Sequence, residues 1–251
     1  MRGVEDVLRL ESGTSLTRVV EEIARRRLLL AVVGKSVISI DSLLRLALEG
    51  RLDSARPESM GVEVPILSGR MGISAIVRAY LRSGCKYCLV KSRRLRALTP
   101  RSTISLMRDV ATPVELSEAV SCELPAIVAP NATLKGAMRR MARRGSICAF
   151  VMRSGVLKGV VDVWSALKLV VEDARRALDR SCSELTWLDP ICSSYEELLT
   201  SLVNYGFGAL TRSNSPPLTV DDVVLIKYAK RLVKRWENVR VRRRRYARRS
   251  S

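Results

Sequence analysis

"ATLKGAMRRMARRGSICAFVMRSGVLKGVVDVWSALKLV", residues 132–170, reads as four consecutive elements. Leu134, Ala137, Met138 and Met141 recur at i, i+3, i+4 and i+7, the core-facing stripe of an amphipathic helix. Thr133 stands before it as an N-cap candidate, and Gly145 stands where a left-handed C-terminal cap favours glycine. Two β-rich runs follow, joined by the turn Ser154-Gly155, with Lys158-Gly159-Val160-Val161 on the outgoing run. A second apolar helix then begins. The order is helix, strand, strand, helix.

The same order recurs three more times. The apolar stripe appears as Leu16, Val19, Val20, Ile23, as Ile73, Ile76, Val77, Tyr80, and as Tyr195, Leu198, Leu199, Leu202. The stripes start at 16, 73, 134 and 195, so the period is 57 to 61 residues. Ser15, Gly72 and Ser194 take the N-cap place. Gly84 and Gly206 take the stop, where the first repeat has Arg27. Gly34-Lys35-Ser36 sits in phase with Ser154-Gly155 and with Ser213-Asn214-Ser215. A phosphate loop needs a glycine five residues before the Gly-Lys pair, and that position holds Leu29. Gly34-Lys35-Ser36 is therefore read as a hairpin turn.

Bulk properties bound the function. The chain has 251 residues, 47% hydrophobic but only 4% aromatic, so its core must be aliphatic. No apolar run approaches the ~20 residues of a membrane span, and no signal peptide follows Met1; a cytoplasmic protein without a membrane partner is expected. Histidine and glutamine are absent and charge is abundant, a composition that suits a thermophile. The net charge is +19. From Lys227 onward, twelve Lys and Arg face the single acid Glu237. A tail reading "RVRRRRYARRSS" lacks apolar periodicity and points to nucleic acid.

Across residues 1 to about 236, the pattern resembles the cystathionine β-synthase (CBS) domain family. The family's unit is an amphipathic helix, a hairpin ending in h-G-h-h-[ST]-x-x-D, and a second helix; the archaeal, thermophile branch is the nearest type. The resemblance implies an α/β (α+β) fold of four CBS repeats, 1–60, 61–115, 116–180 and 181–236, paired into two modules, with an Arg-rich tail at 237–251. It also implies clefts between repeats that take adenosine nucleotides or S-adenosylmethionine, and face-to-face association that allows a homodimer. In the family the motif Asp accepts from ribose hydroxyls, at a helix N-terminus suited to phosphate. Here the motif reads Ser39-Ile40-Asp41-Ser42, Thr99-Pro100-Arg101-Ser102, Asp162-Val163-Trp164-Ser165 and Thr219-Val220-Asp221-Asp222. Only the fourth keeps both the hydroxyl and the final acid. Thr219 and Asp222 are the primary nucleotide candidates, with Asp162 and Ser39 as secondary ones. A serine at the other three final positions, Ser42, Ser102 and Ser165, is expected to serve as a helix N-cap.

Other chemistry is poorly represented. Cys85-Lys86-Tyr87-Cys88 is a lone C-x-x-C without histidines or a second pair, so core or disulfide cysteines are expected ahead of a metal site. No nucleophile elbow or Gly-rich dinucleotide loop is present, and the chain reads as a binding protein rather than an enzyme, with no required cofactor. Arginine clusters occur at Arg25, Arg26 and Arg27, at Arg93, Arg94 and Arg96, at Arg139, Arg140, Arg143 and Arg144, and in the tail at Arg240, Arg242, Arg243, Arg244, Arg245, Arg248 and Arg249. Arginine's planar fork suits phosphate and stacks on bases. Two functions are therefore expected. The first is binding of structured RNA, ribosomal above all, in translation silencing or dormancy. The alternative is an adenosine-nucleotide sensor that controls a partner protein.

Overall fold

The structure, a computed structural model, describes residues 5–107, 126–186, 191–210 and 218–219. Ser213–Ser215, Asp222, the second helix of repeat four and the arginine tail lie outside the described residues.

The chain opens with two short strands, β1 (Glu5–Asp6) and β2 (Leu8–Leu10). Repeat one continues as α1 (Leu16–Arg26), β3 (Leu30–Val33), β4 (Ser36–Ser39) and α2 (Ile40–Glu49). Repeat two is β5 (Ile66–Ser68), α3 (Ile73–Ser83), β6 (Cys88–Lys91), β7 (Leu95–Leu98) and α4 (Pro100–Met107). Repeat three is β8 (Ile127–Val128), α5 (Leu134–Arg144), β9 (Cys148–Arg153), β10 (Val156–Asp162) and α6 (Val163–Asp179). The short α7 (Cys182–Leu185) leads into repeat four, with β11 (Ile191–Cys192), α8 (Tyr195–Asn204), β12 (Phe207–Leu210) and β13 (Leu218–Thr219).

One element escapes the periodicity. A strand precedes the first helix of every repeat and runs parallel to the strand after it: β2 with β3, β5 with β6, β8 with β9 and β11 with β12. The unit is thus strand, helix, strand, strand, helix, which corrects the four-element reading. Strands of two or three residues are too short to show alternation, and the βαβ crossover becomes visible only when the helix folds back over them. The start of the chain also serves two repeats, because β1 pairs with β7 of repeat two while β2 joins repeat one.

The helix ends follow local chemistry. Ser15, Thr133 and Ser194 each accept from a backbone N–H in the first turn of the helix they cap. Gly34-Lys35 turns the first hairpin, with Ser36 already in β4. Arg27 adopts the left-handed conformation (φ 50°) in the glycine place of repeat one, its N–H closing on Ala24 and Ile23 carbonyls. A bend divides α6 at Asp173, whose backbone is extended (φ −159°, ψ 94°) and whose carboxylate caps the second half through Arg176 N–H. Replacing Thr133 by alanine should cost about 1 kcal/mol in urea unfolding, the worth of one N-cap.

The apolar stripes read from the sequence are the buried faces: Leu16, Val19, Val20, Ile23, Ile76, Val77, Tyr80, Leu134, Ala137, Met138, Met141, Leu198, Leu199 and Leu202 are all buried. Helix packing ties the halves together. α1 and α2 of repeat one lie on α6 of repeat three, α2 also meets α5, and α4 of repeat two lies on α8 of repeat four. Cys88, Cys148 and Cys182 are buried. Burial pushes the Cys182 thiol up to about 11. Among the described residues no group of three metal-ligating side chains comes together.

Candidate functional site at the motif turns

In repeats one, two and three the motif stands where an outgoing strand passes into a second helix. In three repeats its two marked residues close on each other. Ser39 accepts from Ser42 N–H at 3.2 Å, and the two hydroxyls lie 2.9 Å apart. Thr99 accepts from Ser102 N–H at 3.1 Å, while Ser102 Oγ donates to Thr99 O at 2.9 Å. Asp162 Oδ1 accepts from Ser165 N–H and Oδ2 from Ser165 Oγ, both at 2.9 Å. Ser39, Thr99 and Asp162 are thus the caps, satisfying first-turn donors that a phosphate would otherwise meet, and the final serines, expected as the N-caps, stand three residues inside as the groups being capped.

The residue two places after the cap points into the junction between repeats. In repeat one this is Asp41, which accepts from Lys86 Nζ at 2.9 Å and from Tyr87 Oη at 2.7 Å. Lys86 also donates to Gly145 O at 2.8 Å, so one side chain joins repeats one, two and three. In repeat two it is Arg101, 8% exposed, which grips Glu5 with Nε and Nη2, each at 2.9 Å. The same guanidinium donates to Arg27 O at 2.9 Å and to Asn204 O at 3.3 Å. In repeat three it is Trp164, 1% exposed, whose Nε1 donates to Leu28 O at 2.7 Å.

Arg27 completes the junction. Its Nη2 lies 3.3 Å from the fully buried Asp162 carboxylate, and its guanidinium lies 5.4 Å from the rings of both Trp164 and Tyr205. Arg101 lies 5.7 Å from the Trp164 ring. Stacking and charge pairing reinforce each other in such a desolvated setting. Residues of all four repeats meet here, with two arginines set against the Trp164 and Tyr205 rings.

The sequence candidates fall in distinct places. Ser39 and Asp162 are buried caps. Thr219 ends β13, in register with Phe207, and Asp222 lies outside the described residues. Arg93 and Arg94 are exposed on the repeat-two hairpin; Arg96 is half-buried, 3.8 Å from Asp6. Arg139, Arg140, Arg143 and Arg144 are exposed on α5. Arg240, Arg242, Arg243, Arg244, Arg245, Arg248 and Arg249 lie outside the described residues. Sequence reasoning placed Arg27 only in a surface cluster, residues 24–27, and did not single out Lys86, Arg101 or Trp164 as functional. The available signal was Arg27 in a glycine place and two bulky residues inside the motif turns.

The strand-helix-strand-strand-helix unit, complete in three repeats and described as far as its last strand in the fourth, is the fold of tandem CBS domain proteins. No protein-family model matches the sequence, and no curated protein matches it. Solved structures do. A Methanocaldococcus jannaschii protein, proposed as an archaeal homolog of g-AMPK, aligns with a TM-score of 0.68 at 14% identity, covering 89% of this chain and 96% of that one. A conserved protein from Pyrococcus horikoshii aligns with a TM-score of 0.51 at 14% identity, covering 80% and 89%. These likenesses are likenesses of fold.

Proposed function

We propose that the chain is a non-enzymatic regulatory protein that binds an adenosine nucleotide at repeat four. The observation carrying this reading is that three of the four motif pairs are closed as helix caps, and only Thr219 and Asp222 keep the hydroxyl and acid suited to a helix N-terminus and a ribose. Resemblance to the CBS family supplies the ligand class. Repeat four is also wired to the rest. β13, which carries Thr219, pairs with β12, and β12 follows Asn204 and Tyr205, the residues held by Arg101 and Arg27. A nucleotide that moves this hairpin would therefore move contacts of repeats one, two and three. Titration with AMP and ATP tests it: the double variant Thr219→Ala, Asp222→Ala should lose binding, whereas a wild type that binds neither sinks the reading.

A second reading, binding of structured RNA such as the ribosome, rests on a different observation. Arg18, Arg25 and Arg26 of α1 gather on one carboxylate, Glu22. Arg139, Arg140, Arg143 and Arg144 of α5 are exposed and, among the described residues, enter no ion pair with an acid. They present cationic forks for phosphate, as the tail does by composition. Unchanged RNA affinity in the Thr219, Asp222 double variant would show that the two activities are separate.

The Glu22 cluster has a pH signature. Hydrogen bonding from Arg25, ahead of the charges around it, holds the Glu22 carboxyl below its ordinary value. A depressed carboxyl stabilises the fold above its unfolded pKa, and this contribution is lost as pH falls through the folded value. Unfolding midpoints of wild type and Glu22→Gln should therefore diverge at neutral pH and converge in acid; parallel curves would contradict the pairing.

A further inference from the structure

The loops before the first helices of repeats one and two are equivalent in place and opposite in charge. In repeat one, Leu10 pairs with Val33, and the following loop turns Ser12 Oγ and Gly13 N–H onto Glu58 Oε1 at 3.2 and 3.1 Å. Glu58 comes from the 3-10 turn Pro57–Met60. Its own backbone N–H, then that of Gly13, holds its carboxyl below the ordinary value. An anion is thus built into this loop.

In repeat two, Leu67 pairs with Val90 and Ser68 with Lys91. The equivalent loop borders a cleft of about 750 Å³, whose polar lining is Ser68, Gly69, Arg70, Lys91, Ser92 and Arg93. Three of these are cations, and among the described residues no acid lines the cleft. The loop is held tightly on the hairpin. Gly69 N–H donates to Lys91 O at 2.7 Å, and a Cβ on Gly69 would lie 2.6 Å from Ser92 Cβ. Only glycine permits that approach, and the approach fixes Arg70 beside Lys91 and Arg93.

We propose that this cleft binds phosphate groups through Arg70, Lys91 and Arg93, where repeat one carries Glu58 as an internal anion. Guanidinium forks match phosphate oxygens in pairs, with lysine as a point charge between them. The cleft is separate from the motif turn. Lys91 pairs with Leu95 at the hairpin end and Cys88 with Leu98 at the Thr99 end, about 10 Å apart at ~3.3 Å per residue. It does not depend on the nucleotide reading at repeat four; either can fail alone. The phosphate's source is a nucleic-acid backbone or a small phosphorylated molecule.

The test uses the full chain with two probes, inorganic pyrophosphate by calorimetry and a short labelled polyuridine by anisotropy. The cleft variant is Lys91→Ser, Arg93→Ser; the charge-matched control is Arg175→Ser, Arg176→Ser on the exposed part of α6. The cleft variant should weaken polyuridine about tenfold and flatten its salt dependence by about 1.4 in log–log slope, at ~0.7 per phosphate contact for a single strand. The control should change neither. Loss of pyrophosphate as well assigns the site to free phosphate groups, and loss of polyuridine alone assigns it to a phosphodiester backbone. Equal effects of variant and control, or no loss of either probe, would overturn the proposal. Both altered side chains are exposed on the hairpin, so an unchanged thermal midpoint should accompany the loss. Gly69→Ala, which moves the loop without altering charge, should weaken the same probe.

Discussion

Trp164→Ala should destabilise the protein by about 3–5 kcal/mol, the usual cost of emptying a large buried aromatic site, measured as a fall in the denaturant midpoint at constant slope. Trp164 is 1% exposed at the contact of repeats one and three. Its removal would open a cavity and free the Leu28 carbonyl from a 2.7 Å hydrogen bond. It would also strip the ring from beneath Arg27 and Arg101. Trp164→Phe separates these effects. It keeps the six-membered ring's apolar area while deleting the donor and leaving a smaller void, so its cost should be about 1–3 kcal/mol. Equal losses for Ala and Phe would mean that the hydrogen bond, rather than packing, holds the junction.

Arg101→Ala should cost about 3–5 kcal/mol, because it leaves the Glu5 carboxylate desolvated and without its charged partner, with the Thr99 hydroxyl still donating to it. Both side chains are largely buried, 10% and 15% exposed. The two 2.9 Å bonds to Glu5 use a geometry that only guanidinium supplies, so Arg101→Lys should recover only part of the loss. Arg101→Met with Glu5→Leu removes both charges and should recover most of it. The strongest sign is non-additivity. Glu5→Ala and Arg101→Ala should together cost clearly less than the sum of the singles, whereas additive losses would show that the fork is decorative.

The fold was legible because the buried stripe repeats. Leu16, Ile73, Leu134 and Tyr195 each open an i, i+3, i+4, i+7 pattern, and burying that pattern is what the helices do. Four copies in phase outweigh the ambiguity of any one. The leading strands were not legible, since β8 and β11 have two residues each and take their order from the neighbouring strand. The caps were legible only in part: that a cap stands at each turn is a local rule, but the capping residues are Ser39, Thr99 and Asp162 rather than the final serines Ser42, Ser102 and Ser165. The junction was not, because it is made by long-range pairs: Arg27 with Asp162, Arg101 with Glu5, Lys86 with Asp41. Nothing in the local pattern tells which of many arginines turns inward. Arg27 carried a faint signal, a non-glycine residue in a left-handed stop. It tolerates that conformation while its side chain is held between two rings.

Three motif turns are closed by the protein's own side chains, and the fourth is the one proposed to take a ligand. Nucleotide stoichiometry distinguishes one open turn from several. Calorimetric titration of the full chain with AMP, ATP and S-adenosylmethionine should give one adenosine ligand per chain for at least one of them, abolished by Thr219→Ala, Asp222→Ala and left intact by Ser42→Ala. Two or more sites per chain, or binding that survives the double variant and falls with Ser42→Ala, would contradict it.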